Sequence, residues 1–131
     1  MFIDTNIFVG AYCSFDKKGG KCRNFLRCIE SGEQNSSTSV LVLDETLKTL
    51  SNLSGEKRAI SAVNKILEIS NLEVFAVDKE DFENCLEYFK QSMDVHDSLH
   101  LAVMKKNGIK AILSYDKDFD LAKGIKRIEP K

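Results

Sequence analysis

Proline is nearly missing from this 131-residue chain: the single one, Pro130, lies in the C-terminal tail. Internal repeats, low-complexity stretches and linker-like segments are missing as well, so nothing divides the sequence. Residues 1–131 read as one domain, long enough to bury roughly two-thirds of the surface its unfolded form would expose. No apolar run is long enough to span a membrane. The chain opens Met-Phe-Ile-Asp, with no basic region leading into an apolar stretch, and no signal peptide is expected. Histidine is scarce, and His96 and His100 do not complete a zinc-finger pattern with the cysteines. Cys13, Cys22, Cys28 and Cys85 include no C-x-x-C pair, and Cys22 shares a helical stripe with Phe25, Leu26 and Ile29. Buried, reduced thiols of a cytoplasmic protein are the expectation.

Excess charge of either sign is also missing. The net charge of −1 is not that of an ordinary nucleic-acid binder. The balance changes if four carboxylates hold cations, because the remainder then carries +3. Basic residues gather in three clusters: Lys17, Lys18, Lys21 and Arg23; Lys105, Lys106 and Lys110; Lys123, Lys126 and Arg127. Each could meet a phosphate backbone, although a solvated surface explains each one alone. The composition, 43% hydrophobic and 30% charged, excludes disorder over most of the chain.

Periodicity predicts alternating strands and helices. Met1–Asp4 is a short strand, followed by a helix over 6–13 and a polar loop over 14–20. Residues 21–31 carry the Cys22 stripe and stop at Gly32. Ser36–Ser39 is a strand of weak propensity. A helix over 40–53 places Val40, Leu43, Leu47 and Leu50 on one face, and Gly55 breaks it. Ala59, Ala62, Val63, Ile66 and Leu67 mark the next helix. Leu72–Val77 is almost continuously apolar, as a buried parallel strand would be. Phe82, Cys85, Leu86, Phe89 and Met93 outline another helix. Asp94 caps a helix over 95–107 that Gly108 ends; it is apolar on nearly all faces and therefore central. A strand over 111–115, a helical turn over 118–123 and a strand over 125–128 complete the chain. The alternation predicts an α/β fold: a parallel sheet covered by helices on both faces.

In such sheets, sites form beyond the carboxyl ends of strands where strand order reverses. Asp4 and Asp116 both follow strands, Asp97 opens the central helix, and Glu45 lies on the helix after the second strand. Each has a plain structural explanation. Asp4 and Asp116 could cap the helices that follow, Asp97 could join Asp94 in a capping box, and Glu45 could pair with Lys48. Yet Glu45 and Asp97 adjoin strongly apolar segments, where a carboxylate needs a partner or a cation.

Four stretches carry a resemblance. They are Ile3-Asp4-Thr5-Asn6; Thr38-Ser39-Val40-Leu41-Val42-Leu43-Asp44-Glu45; His96-Asp97-Ser98-Leu99-His100-Leu101-Ala102; and Leu113-Ser114-Tyr115-Asp116-Lys117-Asp118-Phe119. In order and spacing the chain resembles PIN-domain nucleases and, among them, the VapC-type toxins. The resemblance implies a three-layer α/β/α fold with about five parallel strands in the Rossmann-like order 3-2-1-4-5. It implies acidic ligands at Asp4, Glu45, Asp97 and Asp116, an outer ligand at Asp118, and supporting polar groups at Asn6 and Ser114. Asp44 competes with Glu45 for its place, and alignment with the family favours Glu45. The implied activity is metal-dependent endoribonuclease hydrolysis that leaves 5′-phosphate and 3′-hydroxyl ends. The implied partners are RNA, a cognate antitoxin and a second copy of the chain. Phe8, Val9 and Tyr12 would then be candidates for the dimer surface, though ordinary core serves them equally.

The chemistry agrees with the pattern. Four carboxylates in one crevice repel each other and would take up protons without a cation. Mg²⁺ or Mn²⁺ prefers oxygen ligands, activates water and steadies an in-line displacement at phosphorus. In this scheme Asp4, Asp97 and Asp116 hold the main ion, while Glu45 binds a second ion or orients water.

Other readings compete. His96-Asp97 resembles the core of an HD phosphohydrolase, which needs further histidines upstream. The i, i+4 pair His96 and His100 suits zinc but has no third histidine. In that light His100 is a packed helix residue and His96 approaches substrate. Asp78 could imitate the acceptor of a phosphoacceptor signalling module, although Thr5 and Asn6 stand where such modules carry an acid. A PIN-type RNA-processing enzyme without an antitoxin, or a non-catalytic binding protein, would share the same fold.

Overall fold

The computed structural model describes residues 1–131. Five strands, β1 (Phe2–Ile3), β2 (Ser36–Ser39), β3 (Leu72–Phe75), β4 (Ala111–Leu113) and β5 (Lys126–Ile128), form one parallel sheet in the order β3-β2-β1-β4-β5. Six helices connect them: α1 (Thr5–Cys13), α2 (Lys17–Glu30), α3 (Val40–Ser54), α4 (Glu56–Leu67), α5 (Lys79–Phe89) and α6 (Val95–Lys106). A 3₁₀ turn, Lys117–Leu121, precedes β5. The chain steps from β1 to β2 to β3, then crosses back to β4 on the other side of β1. Right-handed crossovers therefore put α1–α4 on one face and α5–α6 on the other. The three layers and the strand order match the expectation, and the reversal falls between β1 and β4.

The buried strands are not those that hydropathy singles out. Leu72–Val77 looks like a central strand, yet β3 is an edge strand with Glu73 exposed and Val74 and Phe75 only half-buried. The polar β2 is buried throughout. Three of its four hydroxyls meet neighbouring backbone: Ser37 Oγ donates to the Met1 carbonyl at 3.4 Å, Thr38 Oγ1 donates to the Ile3 carbonyl at 3.0 Å, and Ser39 Oγ accepts from Val42 N at 3.3 Å, while the buried Ser36 hydroxyl has no partner. A polar strand can sit inside the sheet because most of its small hydroxyls find a backbone partner there. Phe2 and Ile3 of β1 are fully buried, each worth about 1.5–3 kcal/mol of transfer free energy.

Three helices differ from the periodicity reading. Residues 17–20 are helical rather than loop. Asp16 caps α2, accepting from Gly19 N at 2.7 Å. Gly19 is there for contact: a Cβ would stand 2.1 Å from the Ser14 carbonyl oxygen. Its lack of a side chain lets α2 start against the end of α1. In α3 the buried face is Val42, Leu43, Thr46 and Leu50, with Val40 exposed. In α5, Phe82, Leu86 and Phe89 are exposed, while Cys85 and Asp81 are buried. This helix lies in the outer layer, where Cys85 packs with Leu99 and Ala102 of α6. Met93 is buried beyond the end of α5. The remaining limits shift by a few residues. The expectation for α6 holds: Ser98 through Met104 are all buried.

All four cysteines are free thiols; Cys22 and Cys85 are buried, Cys13 and Cys28 half-buried. No helix is long and apolar enough to cross a membrane.

Candidate active site

Parallel pairing of β1 with β4 sets Asp4 beside Ser114, and the Asp4 amide donates to the Leu113 carbonyl at 3.2 Å. Asp4 is buried and caps α1, its Oδ1 accepting from Thr5 N at 2.7 Å. Its Oδ2 accepts from Asn6 Nδ2 and from Ser114 Oγ, both at 2.6 Å. Ser114 Oγ also accepts from Asn6 Nδ2 and from the Asp116 amide, each at 2.9 Å. Asn6 Oδ1 accepts from Tyr115 N at 3.1 Å. One hydroxyl and one amide thus tie the end of β1 to the end of β4. Burial pushes the Asp4 carboxyl above its usual range, against the opposing pull of Ser114, His100 and the Thr5 amide.

Asp97 stands in the first turn of α6. Burial, assisted by Asp4, Asp116 and Asp94, pushes its carboxyl up to about 7, with His100 opposing. Carboxylate oxygens of Asp97, Asp116 and Asp118 lie within 4.8 Å of one another. The capping box with Asp94 does not form; Asp94 instead accepts from His96 N at 2.8 Å. Asp116 does cap the 3₁₀ turn, accepting from Asp118 N at 2.9 Å. An all-oxygen set whose charge is uncompensated suits a hard divalent cation, so these residues fit the implied metal.

Glu45 does not pair with Lys48. Its Oε1 lies 3.0 Å from His96 Nδ1 and its Oε2 lies 3.1 Å from His100 Nε2. Thr5 Oγ1 donates to Oε2 at 2.5 Å. Burial opposes ionisation of Glu45, but His100, Thr5 and His96 together hold its carboxyl below the ordinary range. His100 is buried and its Nδ1 has no partner. An ionised carboxylate only accepts, so the ring proton belongs on Nε2. Asp44 faces solvent.

The structure therefore brings Asp97, Asp116 and Asp118 together, sets Asp4 alongside in its own hydrogen bonds, and holds Glu45 against two histidines. The role of His100 and Thr5 as partners of Glu45 escaped the sequence reading. The i, i+4 histidine pair was its visible signal, but nothing in the sequence says what the pair faces.

Other readings meet their geometry here. Both histidines face one carboxylate, which accounts for their spacing without zinc. Asp78 lies beyond the edge strand, in a reciprocal capping box with Asp81, and the Lys106 ammonium 2.8 Å away holds it below its usual range. Lys106 and Arg127, members of basic clusters that could have met a phosphate backbone or simply faced solvent, are paired with carboxylates. Lys18 Nζ lies 5.1 Å from the centre of the Tyr115 ring. Phe8 is fully buried, which removes it from any dimer surface, while Val9 and Tyr12 are half-buried.

A parallel sheet with an acidic cluster at its topological switch defines the class, and the family model for the PIN domain matches residues 1–125. The chain belongs to the PIN domain family. Among its relatives is Ribonuclease VapC13 of Mycobacterium tuberculosis, 29% identical over 75% of this chain and 76% of that protein. Ribonuclease VapC1 of Aquifex aeolicus is 26% identical over 91% and 83%. The crystal structure of Mycobacterium tuberculosis VapC20, a sarcin-ricin loop cleaving toxin, superposes with a TM-score of 0.77 at 25% identity, covering 93% and 94% of the two chains. VapBC2 from Rickettsia felis, solved bound to a promoter DNA fragment, shares the fold with a TM-score of 0.74 at 16% identity, over 99% and 98%.

Proposed function

We propose that this protein is a metal-dependent endoribonuclease and the toxin of a toxin–antitoxin pair. The observation that carries the catalytic reading is the closeness of Asp97, Asp116 and Asp118, within 4.8 Å, beside a hydrogen-bonded Asp4. In this reading Asp4, Asp97 and Asp116 hold the main cation, Mg²⁺ or Mn²⁺, with Asp118 as a further ligand. When bound, such an ion supplies an activated water and offsets charge at the phosphorus. The chain's own residues do the positioning. Ser114 and Asn6 fix the Asp4 carboxylate, Asp97 in its ionised form would hold the cation, and Glu45, steadied by His100, would orient water or a second ion. RNA hydrolysis rests on relatives named as ribonucleases. An antitoxin partner rests on structural neighbours solved as toxin–antitoxin complexes. A homodimer and a cytoplasmic location complete the proposal.

Cleavage of total cellular RNA by purified protein tests it, with Mg²⁺, with Mn²⁺ and with chelator. Cuts that require the metal and disappear in Asp97→Asn are expected. Equal cleavage by wild type and variant would overturn the assignment.

A further inference from the structure

Arg127 lies on β5, the edge strand beside β4, with its side chain only 12% exposed. Its Nε and Nη2 grip Asp120 at both oxygens, at 2.9 and 3.1 Å. Its Nη1 donates to the Ser114 carbonyl at 3.1 Å and to Glu129 Oε1 at 2.8 Å. Ser114 and Asp120 are the two ends of one short segment, and between them stand Asp116 and Asp118. The same Ser114 presents its hydroxyl to Asp4, Asn6 and the Asp116 amide. A single guanidinium therefore holds both ends of the loop that carries two of the three clustered carboxylates. Asp120 and Glu129 neutralise it, so its charge is spent on the clamp.

We infer that Arg127 is a positioning residue: by bracing Ser114 and Asp120 it fixes the spacing of Asp116 and Asp118 for a divalent cation. This rests on the reading of that cluster as the metal site. Arginine is needed because its planar fork reaches a carboxylate and a carbonyl at once, which a lysine ammonium cannot do in this geometry. Residues that orient metal ligands from outside typically change affinity by about 10–100-fold when altered.

The test is Mn²⁺ affinity of the purified protein without RNA, read from the loss of the free-ion EPR signal, alongside thermal midpoints. Asp116→Asn should abolish tight binding. Arg127→Ala and Asp120→Ala should each weaken it about tenfold or more, and Arg127→Lys should not restore it. Glu129→Gln, which removes a charge from the same guanidinium but leaves both loop ties, should stay near wild type. Wild-type affinity in Asp116→Asn would overturn the metal-site reading itself. If Asp116→Asn loses the ion while folded Arg127→Ala and Asp120→Ala keep it, the role of Arg127 is overturned. A lowered thermal midpoint without lowered affinity overturns it too. Should Arg127→Ala fail to fold, Asp120→Ala carries the test.

Discussion

Ser114 Oγ donates to Asp4 Oδ2 at 2.6 Å across 110 positions of sequence. That bond joins the first strand to the fourth and gives a buried carboxylate one of its few donors. Ser114→Ala would leave Asp4 with Asn6 and the Thr5 amide alone. Loss of a hydrogen bond to a charged buried group costs about 1.5–3 kcal/mol. Urea unfolding should report that loss, and RNA cleavage should fall at least about tenfold with it. Unchanged values in both would sink the idea that this hydroxyl organises the site.

Asp97 makes stability depend on pH in the metal-free protein. Its folded value of about 7 stands well above the ordinary aspartate value of 3.8. Between these the folded state keeps a proton that the unfolded state has released, so stability should fall as pH rises from about 4 to about 7. Asp4, also raised, acts in the same direction. Urea midpoints in chelator should show the decline, Asp97→Asn should flatten it, and Mg²⁺, which favours the ionised form, should reverse it.

Gly19 inverts an ordinary rule. An alanine inside a helix is normally better than glycine by about 1 kcal/mol. Here the new Cβ would meet backbone at 2.1 Å, and overpacking of that kind costs about 1–3 kcal/mol. Gly19→Ala should therefore lower the thermal midpoint, while a rise would show that α1 and α2 can part freely.

The two histidines on Glu45 should behave differently. His100 is buried, and His100→Ala both opens a cavity and removes the buried donor to Glu45, at a cost of about 2–4 kcal/mol. The side chain of His96 is 56% exposed, and its pair with Glu45 is worth under about 1 kcal/mol. Chemical denaturation of both variants separates these values; equal losses would contradict the burial argument.

Sequence alone determined the succession of strands and helices, because period and caps are local. Asp94 before α6 and Gly108 after it mark a helix wherever it packs. The four acidic stretches were legible too, since each sits at a strand end or a helix start. What each layer covers was decided by tertiary structure. β2 can be buried because Ser37, Thr38 and Ser39 find backbone partners in neighbouring segments, and β3 is an edge because nothing follows it in the sheet. Phe82, Leu86 and Phe89 stay outside because α5 offers α6 a different face. In the site, the sequence nominated Asp4, Glu45, Asp97, Asp116 and Asp118 but not their division. Only the fold sets Glu45 against His100 and gathers Asp118 with Asp97 and Asp116, for such contacts depend on distances between segments far apart in the chain. Arg127 reads as one more surface cation in a basic cluster until β5 lies beside β4 and brings Ser114 and Asp120 within reach of one guanidinium.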